Sequence, residues 1–354
     1  MPCSCLIVIG WHDNSLSENQ VVASRNRIFG YDALKALAAF FVVLYHVGMV
    51  DLGYRDGEYY YPTIVQVLWL FCACGVPLFF MVNGALTVSR NYDLKKSATK
   101  AGRLLLAGIF WGLVVMCLYA LKNHDTSSFN FGMVHYYWFL FSLALMYLLN
   151  YLMGRLPRVC RWVVVSILLV FPFLTNLIWD AIILCYPAIE MPKWGHIGAF
   201  TLYGLVYLYA GDFLAHHSVK RVVVIASAVL GLALLALEAT AVVNYRHAQF
   251  EGGNYCFPTL GALLLSIAVF VWVKEWNLKD SMIKKSIVFL GDNALGIYIF
   301  HLILMIIVGM LFPHLGDITV NPLVAVLIAA AYMVASAMIS EVIRRSPLGF
   351  LLKL

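Results

Sequence analysis

Residues 29–50 read FGYDALKALAAFFVVLYHVGMV. A bilayer span takes about 20 mainly apolar residues, so this stretch is long enough to cross, yet it carries Asp32, Lys35 and His46. An ionisable group at mid-span costs about 2.5–3.5 kcal/mol on insertion scales and therefore faces a bundle interior or water. Lys35 and His46 stand 11 residues apart. That is three turns and roughly 16 Å of rise, which keeps them on one helix face. Asp32 lies one turn below Lys35, at a spacing that permits an i,i+3 ion pair. One stripe thus presents a charge pair near one end and an imidazole toward the other.

The rest of the chain extends this pattern. Hydrophobic residues make up 63%, charged residues 12%, and mean hydropathy is +0.86, whereas soluble domains carry about 25% charged residues. Lipid is therefore the expected solvent. Further spans are expected near 63–89, 104–121, 134–153, 162–179, 196–215, 222–243, 255–273, 286–311 and 322–343, with an interfacial or re-entrant piece over 180–189. Ten spans divide the basic residues unevenly. Nineteen fall on the side of both termini and four on the other (Arg55, Lys122, Lys193 and Arg246), with Lys35 inside a span. The positive-inside rule then puts both termini in the cytoplasm. The fold class read from the sequence is an all-α polytopic membrane bundle of about ten transmembrane helices. Residues 1–24 read as a disordered tail without the basic leader of a signal peptide, and 25–354 as one transmembrane domain. The net charge of +6 is thereby a topology signal, and no nucleic-acid partner is expected. The eight cysteines have no CxxC spacing and most lie in apolar runs, so neither a disulfide framework nor a metal site is expected.

Other polar residues fall on the expected spans. His301, in GDNALGIYIFHLILM, sits at a depth comparable to that of His46, and Glu238 lies in the outer half of its span. Both suit either a pocket or a structural role. The run VHYYWFLF sets His135, Tyr136, Tyr137 and Trp138 at the outer interface, as an aromatic belt or as a platform for a sugar. Lys95, Lys96, Lys100 and Arg103 form a basic cluster on the cytoplasmic side. Such a cluster serves topology alone or holds phosphates, arginine offering bidentate contact. Gly108 and Gly112 read as a helix-packing pair.

Several of these segments together resemble the acyltransferase-3 family of membrane O-acyltransferases, from about residue 28 to the C-terminus. DALKALAAFFVVLYHVG is similar to the family's motif of a basic residue, ten residues and a histidine, here Lys35 and His46. VPLFFMVNGALTV resembles its PLFFxxSG segment, with Asn83 in place of the serine. Lys100-Ala-Gly-Arg103 looks like its RxxR pair with lysine first, and WFLFSLALMYLL and LGIYIFHLIL look like its later landmarks. The likeness is to single-domain, glycan-acetylating members. In these a histidine stands two before the tryptophan; here Tyr136 holds that place and His135 is shifted by one, so no role passes to it. The resemblance implies a bacterial inner-membrane enzyme that takes an acetyl or other acyl group from cytoplasmic acetyl-CoA to a hydroxyl of a cell-surface or lipid-linked sugar. His46 would be general base or acyl-carrying nucleophile. Lys35, supported by Asp32, would bind acyl-CoA together with Lys95, Lys96, Lys100 and Arg103. His301, Trp138, Asn83 and Glu238 are candidates for the acceptor pocket. No cofactor beyond acyl-CoA is expected.

The main rival is a proton-coupled transporter that relays protons through His46, His301 and Glu238. It lacks the paired Gly/Pro-broken segments that mark transporter repeats. A third reading is a non-catalytic membrane subunit held together by its polar stripe.

Overall fold

The computed structural model describes residues 27–52, 71–90, 93–123, 137–174, 199–245, 259–312 and 321–352, with short helical pieces at 177–178, 181–182 and 185. The tail 1–24, most of 180–189, and His135 and Tyr136 lie outside the described residues, as does the side chain of Glu238. Everything described is helix, turn or short coil. The helices are α1 (Phe29–Leu52), α2 (Gly75–Thr87), α3 (Leu94–Asn123), α4 (Trp138–Arg155) and α5 (Arg158–Leu169), which continues as a π-helical turn over Val170–Leu174. They are followed by α6 (Ala199–His216), α7 (Arg221–Tyr245), α8 (Leu260–Lys274), α9 (Met282–Asp292), α10 (Ala294–Leu311) and α11 (Pro322–Arg345).

Among the described residues, four helices are long and apolar enough to cross a membrane: Phe29–Val47, Leu94–Lys122, Ala294–Leu311 and Pro322–Arg345. Gly75–Thr87, Arg221–Leu237 and Leu260–Lys274 are apolar but shorter. Apolar side chains face outward as well as inward. Leu106, Ile109 and Leu113 on α3, and Val222, Ile225 and Val229 on α7, are all exposed. In water a rim of this kind would drive aggregation, whereas in a bilayer it is the lipid-facing surface.

Since lipid tails are as apolar as leucine, small residues that let backbones touch must hold such helices together. α2 and α6 do this reciprocally. A Cβ on Gly84 would strike the Leu208 carbonyl, and one on Gly211 would strike the Met81 carbonyl. Gly231 of α7 and Gly261 of α8 meet Leu265 and Leu235 in the same way. α1 is central, packing on α2, α8, α9, α10 and α11.

Two local features depart from the expectation and both shape the site. Residues 286–311 do not form one helix. The chain breaks at buried Asn293, whose Nδ2 donates to the Phe289 carbonyl at 3.0 Å and whose Oδ1 accepts from the Ser340 hydroxyl at 2.8 Å. An Asn side chain that competes with the backbone for hydrogen bonds is an ordinary cause of such a break. The second departure concerns Lys95, Lys96, Lys100 and Arg103, which the expected spans 63–89 and 104–121 leave in the gap between them. They lie on the first turns of α3, where Asp93 Oδ1 accepts from the Lys96 amide at 2.7 Å and starts the helix.

Candidate functional site

Beside the break at Asn293 lies a cavity of about 470 Å³ between α1, α2, α3, α4, α9, α10 and α11. Its walls follow from helical periodicity. Phe79, Asn83 and Thr87 line it from α2, and Phe139, Leu143 and Tyr147 from α4, each set spaced by four residues and so stacked on one face. Asn83 and Tyr147 meet in the middle layer. The tyrosine hydroxyl donates to Asn83 Oδ1 at 2.8 Å, and Asn83 Nδ2 donates to the Phe79 carbonyl at 2.8 Å. The residue standing where the family pattern has serine is thus a satisfied bridge between two walls.

Lys35, Lys100, Arg344 and Asp292 line the same cavity. Lys100 Nζ lies 5.2 Å from the centroid of the Tyr147 ring, a cation–π contact. Arg344 leans on α9 through a 3.4 Å contact to the Asp292 carbonyl and lies 3.7 Å from Glu341. Lys35 Nζ pairs with Asp32 Oδ1 at 2.8 Å, the i,i+3 pair that the spacing permits. Asp32 is buried and accepts a second cation, Arg27, which also reaches Asp292 at 2.7 Å. Burial works against the Arg27 charge, but the two carboxylates outweigh it and hold the guanidinium above its usual range. Among the described residues, the charged side chains on the cavity wall are Lys35, Lys100 and Arg344 against Asp292, so the lining carries more positive than negative charge.

At the deep end three aromatic rings close the floor. Phe139 lies 5.5 Å from Phe79 and 5.2 Å from Tyr298, and the Tyr298 hydroxyl is hydrogen-bonded to the Phe139 backbone. Behind Tyr298, at 6.0 Å between ring centroids, is the imidazole of His301; 5.1 Å further is that of His46. Neither histidine lines the cavity. Separate helices, α1 and α10, therefore bring the two imidazoles together at similar depth.

The other candidates are dispersed. Of the four basic residues on the first turns of α3, Lys100 lines the cavity, whereas Lys95, Lys96 and Arg103 are exposed. Trp138 is half-buried at the start of α4, 6.4 Å from the Phe139 ring, and is not part of the cavity wall. Arg344, Tyr147 and Tyr298 were not singled out in the sequence. Arg344 had been counted only as a topology charge. The two tyrosines sit in the landmark segments, one and two turns from residues that the cavity uses. A polar residue closing an apolar i,i+4 stripe, as Tyr147 does, was the available signal.

Neither curated proteins nor solved structures gave a match to the chain. The family model of the acyltransferase domain matches residues 28–342, a span that takes in α1 to α10, most of α11 and every wall of the cavity except Arg344 and Leu352. An acyltransferase domain covering most of the chain, on a bundle of apolar helices, is a membrane acyltransferase domain. The chain belongs to the acyltransferase-3 family.

Proposed function

We propose that this protein transfers an acyl group, acetyl in the first instance, from cytoplasmic acyl-CoA to a hydroxyl of a cell-surface or lipid-linked sugar. It would do so in a bacterial inner membrane, with ten spans and both termini in the cytoplasm. The observation that carries the reading is the order of groups along one path. A positive cavity mouth with Lys35, Lys100 and Arg344 leads to an aromatic floor, and the His301–His46 pair lies directly behind it.

The residues fit the donor. CoA is an extended polyanion whose reactive thioester ends a long, thin, uncharged arm. Its phosphates meet the cations at the mouth, where hydrogen bonds to charged groups are the strong kind. The arm then has to cover the roughly 16 Å of helix rise between Lys35 and His46. Crossing the floor requires the Phe79, Phe139 and Tyr298 rings to part, which keeps water from the thioester until the arm is seated. Asp32 is the positioning residue for Lys35. His46 then acts as general base: its neutral nitrogen takes the sugar hydroxyl proton as the oxygen attacks the thioester carbonyl. Such help is typically worth 10²–10⁴-fold. The acceptor would approach His46 from the outer side.

The test uses purified protein in nanodiscs and radiolabelled acetyl-CoA, comparing wild type with His46→Ala at matched folded yield. Label transfer lost in the variant while CoA still binds supports the reading. A wild type that neither binds nor turns over acetyl-CoA overturns it and brings the transporter forward.

A further inference from the structure

His301 is fully buried, and its two ring nitrogens are treated very differently. Nδ1 lies 2.9 Å from the carbonyl oxygen of Ile297, one turn back on the same helix. A carbonyl only accepts, so Nδ1 carries the proton and the neutral ring keeps a bare lone pair on Nε2. That Nε2 is buried with no hydrogen-bond partner among the described residues. A buried acceptor left unpaired is a standing cost that a phenylalanine or leucine would avoid. Its neighbour is the His46 ring, 5.1 Å away between centroids and tilted by 43°. At that separation a modest turn of one ring brings two nitrogens edge to edge within hydrogen-bond reach.

We propose that His301 is the positioning residue of His46: its Nε2 accepts the N–H of the His46 imidazole and so holds the other His46 nitrogen unprotonated toward the reacting groups. The inference rests on the acyl-transfer reading for its chemical role, though not for the contact itself. Without a fixed acceptor, a neutral imidazole divides between two tautomers and two ring flips, and only one of these presents a base. The backbone bond to Ile297 does for His301 what His301 does for His46. It sets which nitrogen is free.

The step balances without any net change at His301. The sugar hydroxyl proton moves to the free nitrogen of His46 as the sugar oxygen bonds the thioester carbonyl carbon. The C–S bond breaks, and the leaving thiolate takes that proton from His46. Throughout, the second His46 nitrogen keeps its proton and donates it to His301 Nε2. While His46 is an imidazolium this hydrogen bond is charge-assisted and strengthens, so the stabilisation is largest when charge has developed, as catalysis requires.

Two amide substitutions separate this role from packing. Asparagine reaches the place of Nδ1 alone, so His301→Asn can keep donating to Ile297 and loses the acceptor toward His46. Glutamine reaches the place of Nε2, so His301→Gln restores the acceptor and gives up the Ile297 bond. We expect H301Q to stay within about tenfold of wild-type kcat and H301N to fall about a hundredfold or more, as when a triad histidine loses its tautomer-fixing partner. KM for acetyl-CoA should be unchanged in both. If His301 only packs, H301N equals or exceeds H301Q, and the proposal is overturned. A second readout is independent of turnover: ¹⁵N spectra of histidine-labelled protein in nanodiscs, with the His46 signal assigned by its loss in His46→Ala. One His46 tautomer in wild type and H301Q, and a mixture in H301N, is the expected result. A His46 signal indifferent to His301 refutes the contact even if acyl transfer is observed. If wild type shows no turnover, the acyl-transfer reading falls, and the nitrogen spectra alone decide whether the histidine pair exists.

Discussion

Two adjacent arginines give a sharp test of the cavity. Arg344 lines it, with a side chain 31% exposed, whereas Arg345 is 79% exposed, paired with Glu341 at 2.9 Å, and outside the wall. Both are arginines at the end of one helix, with nearly equal effect on topology and helix dipole. A hydrogen bond to a charged partner contributes about 1.5–3 kcal/mol. Because the mouth is open to water, the lower part of that range applies to Arg344, about 1.5–2 kcal/mol. With tenfold per 1.4 kcal/mol, Arg344→Gln should weaken CoA binding roughly 10–30-fold. The 3.4 Å contact to the Asp292 carbonyl is also lost, but it is long and contributes little. Arg345→Gln should leave affinity within about twofold, since an exposed pair is worth at most about 1 kcal/mol to folding and nothing to a ligand it does not touch. Calorimetric titration of CoA into protein nanodiscs at two salt concentrations would measure both. The gap between the variants should narrow as salt rises and the Debye length shortens. Equal losses for the two, or none for Arg344→Gln at matched folded yield, would refute the assignment of the cavity mouth to the donor phosphates.

Other substitutions probe the scaffold. Asp32→Asn leaves Lys35 and Arg27 without their shared carboxylate. It should cost about 2–3 kcal/mol, below the roughly 3–5 of a fully buried pair because Arg27 keeps Asp292; an unchanged heat-resistance profile on size exclusion would contradict this. Gly84→Ala drives a Cβ into the Leu208 backbone, which cannot yield as a side chain could, and should destabilise by about 1–3 kcal/mol. Gly102→Ala, with nothing within 4 Å of the new methyl, should be neutral or stabilise by up to about 1 kcal/mol; the opposite order in thermal unfolding would count against the α2–α6 contact. Asn293→Ala removes the Ser340 and Phe289 bonds and lets α9 and α10 run on. It should lower both stability and CoA affinity, and intact affinity would separate the cavity from the helix break. A C-terminal green fluorescent protein fusion should fluoresce and an alkaline phosphatase fusion be inactive, the reverse placing the C-terminus outside.

The sequence by itself determined the membrane-helical class, because apolar runs of span length with few charges allow no other solvent or backbone state. It also marked Asp32, Lys35 and His46 as one stripe, since helical periodicity is local and 11 residues return to the same face. The i,i+3 ion pair followed from the same arithmetic. What lies between helices was not legible. That Asn83 meets Tyr147, that Lys100 reaches the cavity while Lys95 and Lys96 do not, and that Arg344 closes it across more than 200 residues of chain all depend on which faces pack together. Lipid gives little help in reading those faces, because the outer surface of such a helix is as apolar as its buried one. The break at Asn293 was missed for a related reason. By length and hydropathy 286–311 reads as one helix although Gly291, Asp292 and Asn293 interrupt it, and Ser340 on a distant helix gives the asparagine Oδ1 a partner at the break. Tertiary structure alone brought the imidazoles of His46 and His301 within 5.1 Å, since depth along a helix is fixed by residue count, but azimuth toward a neighbour is fixed by packing.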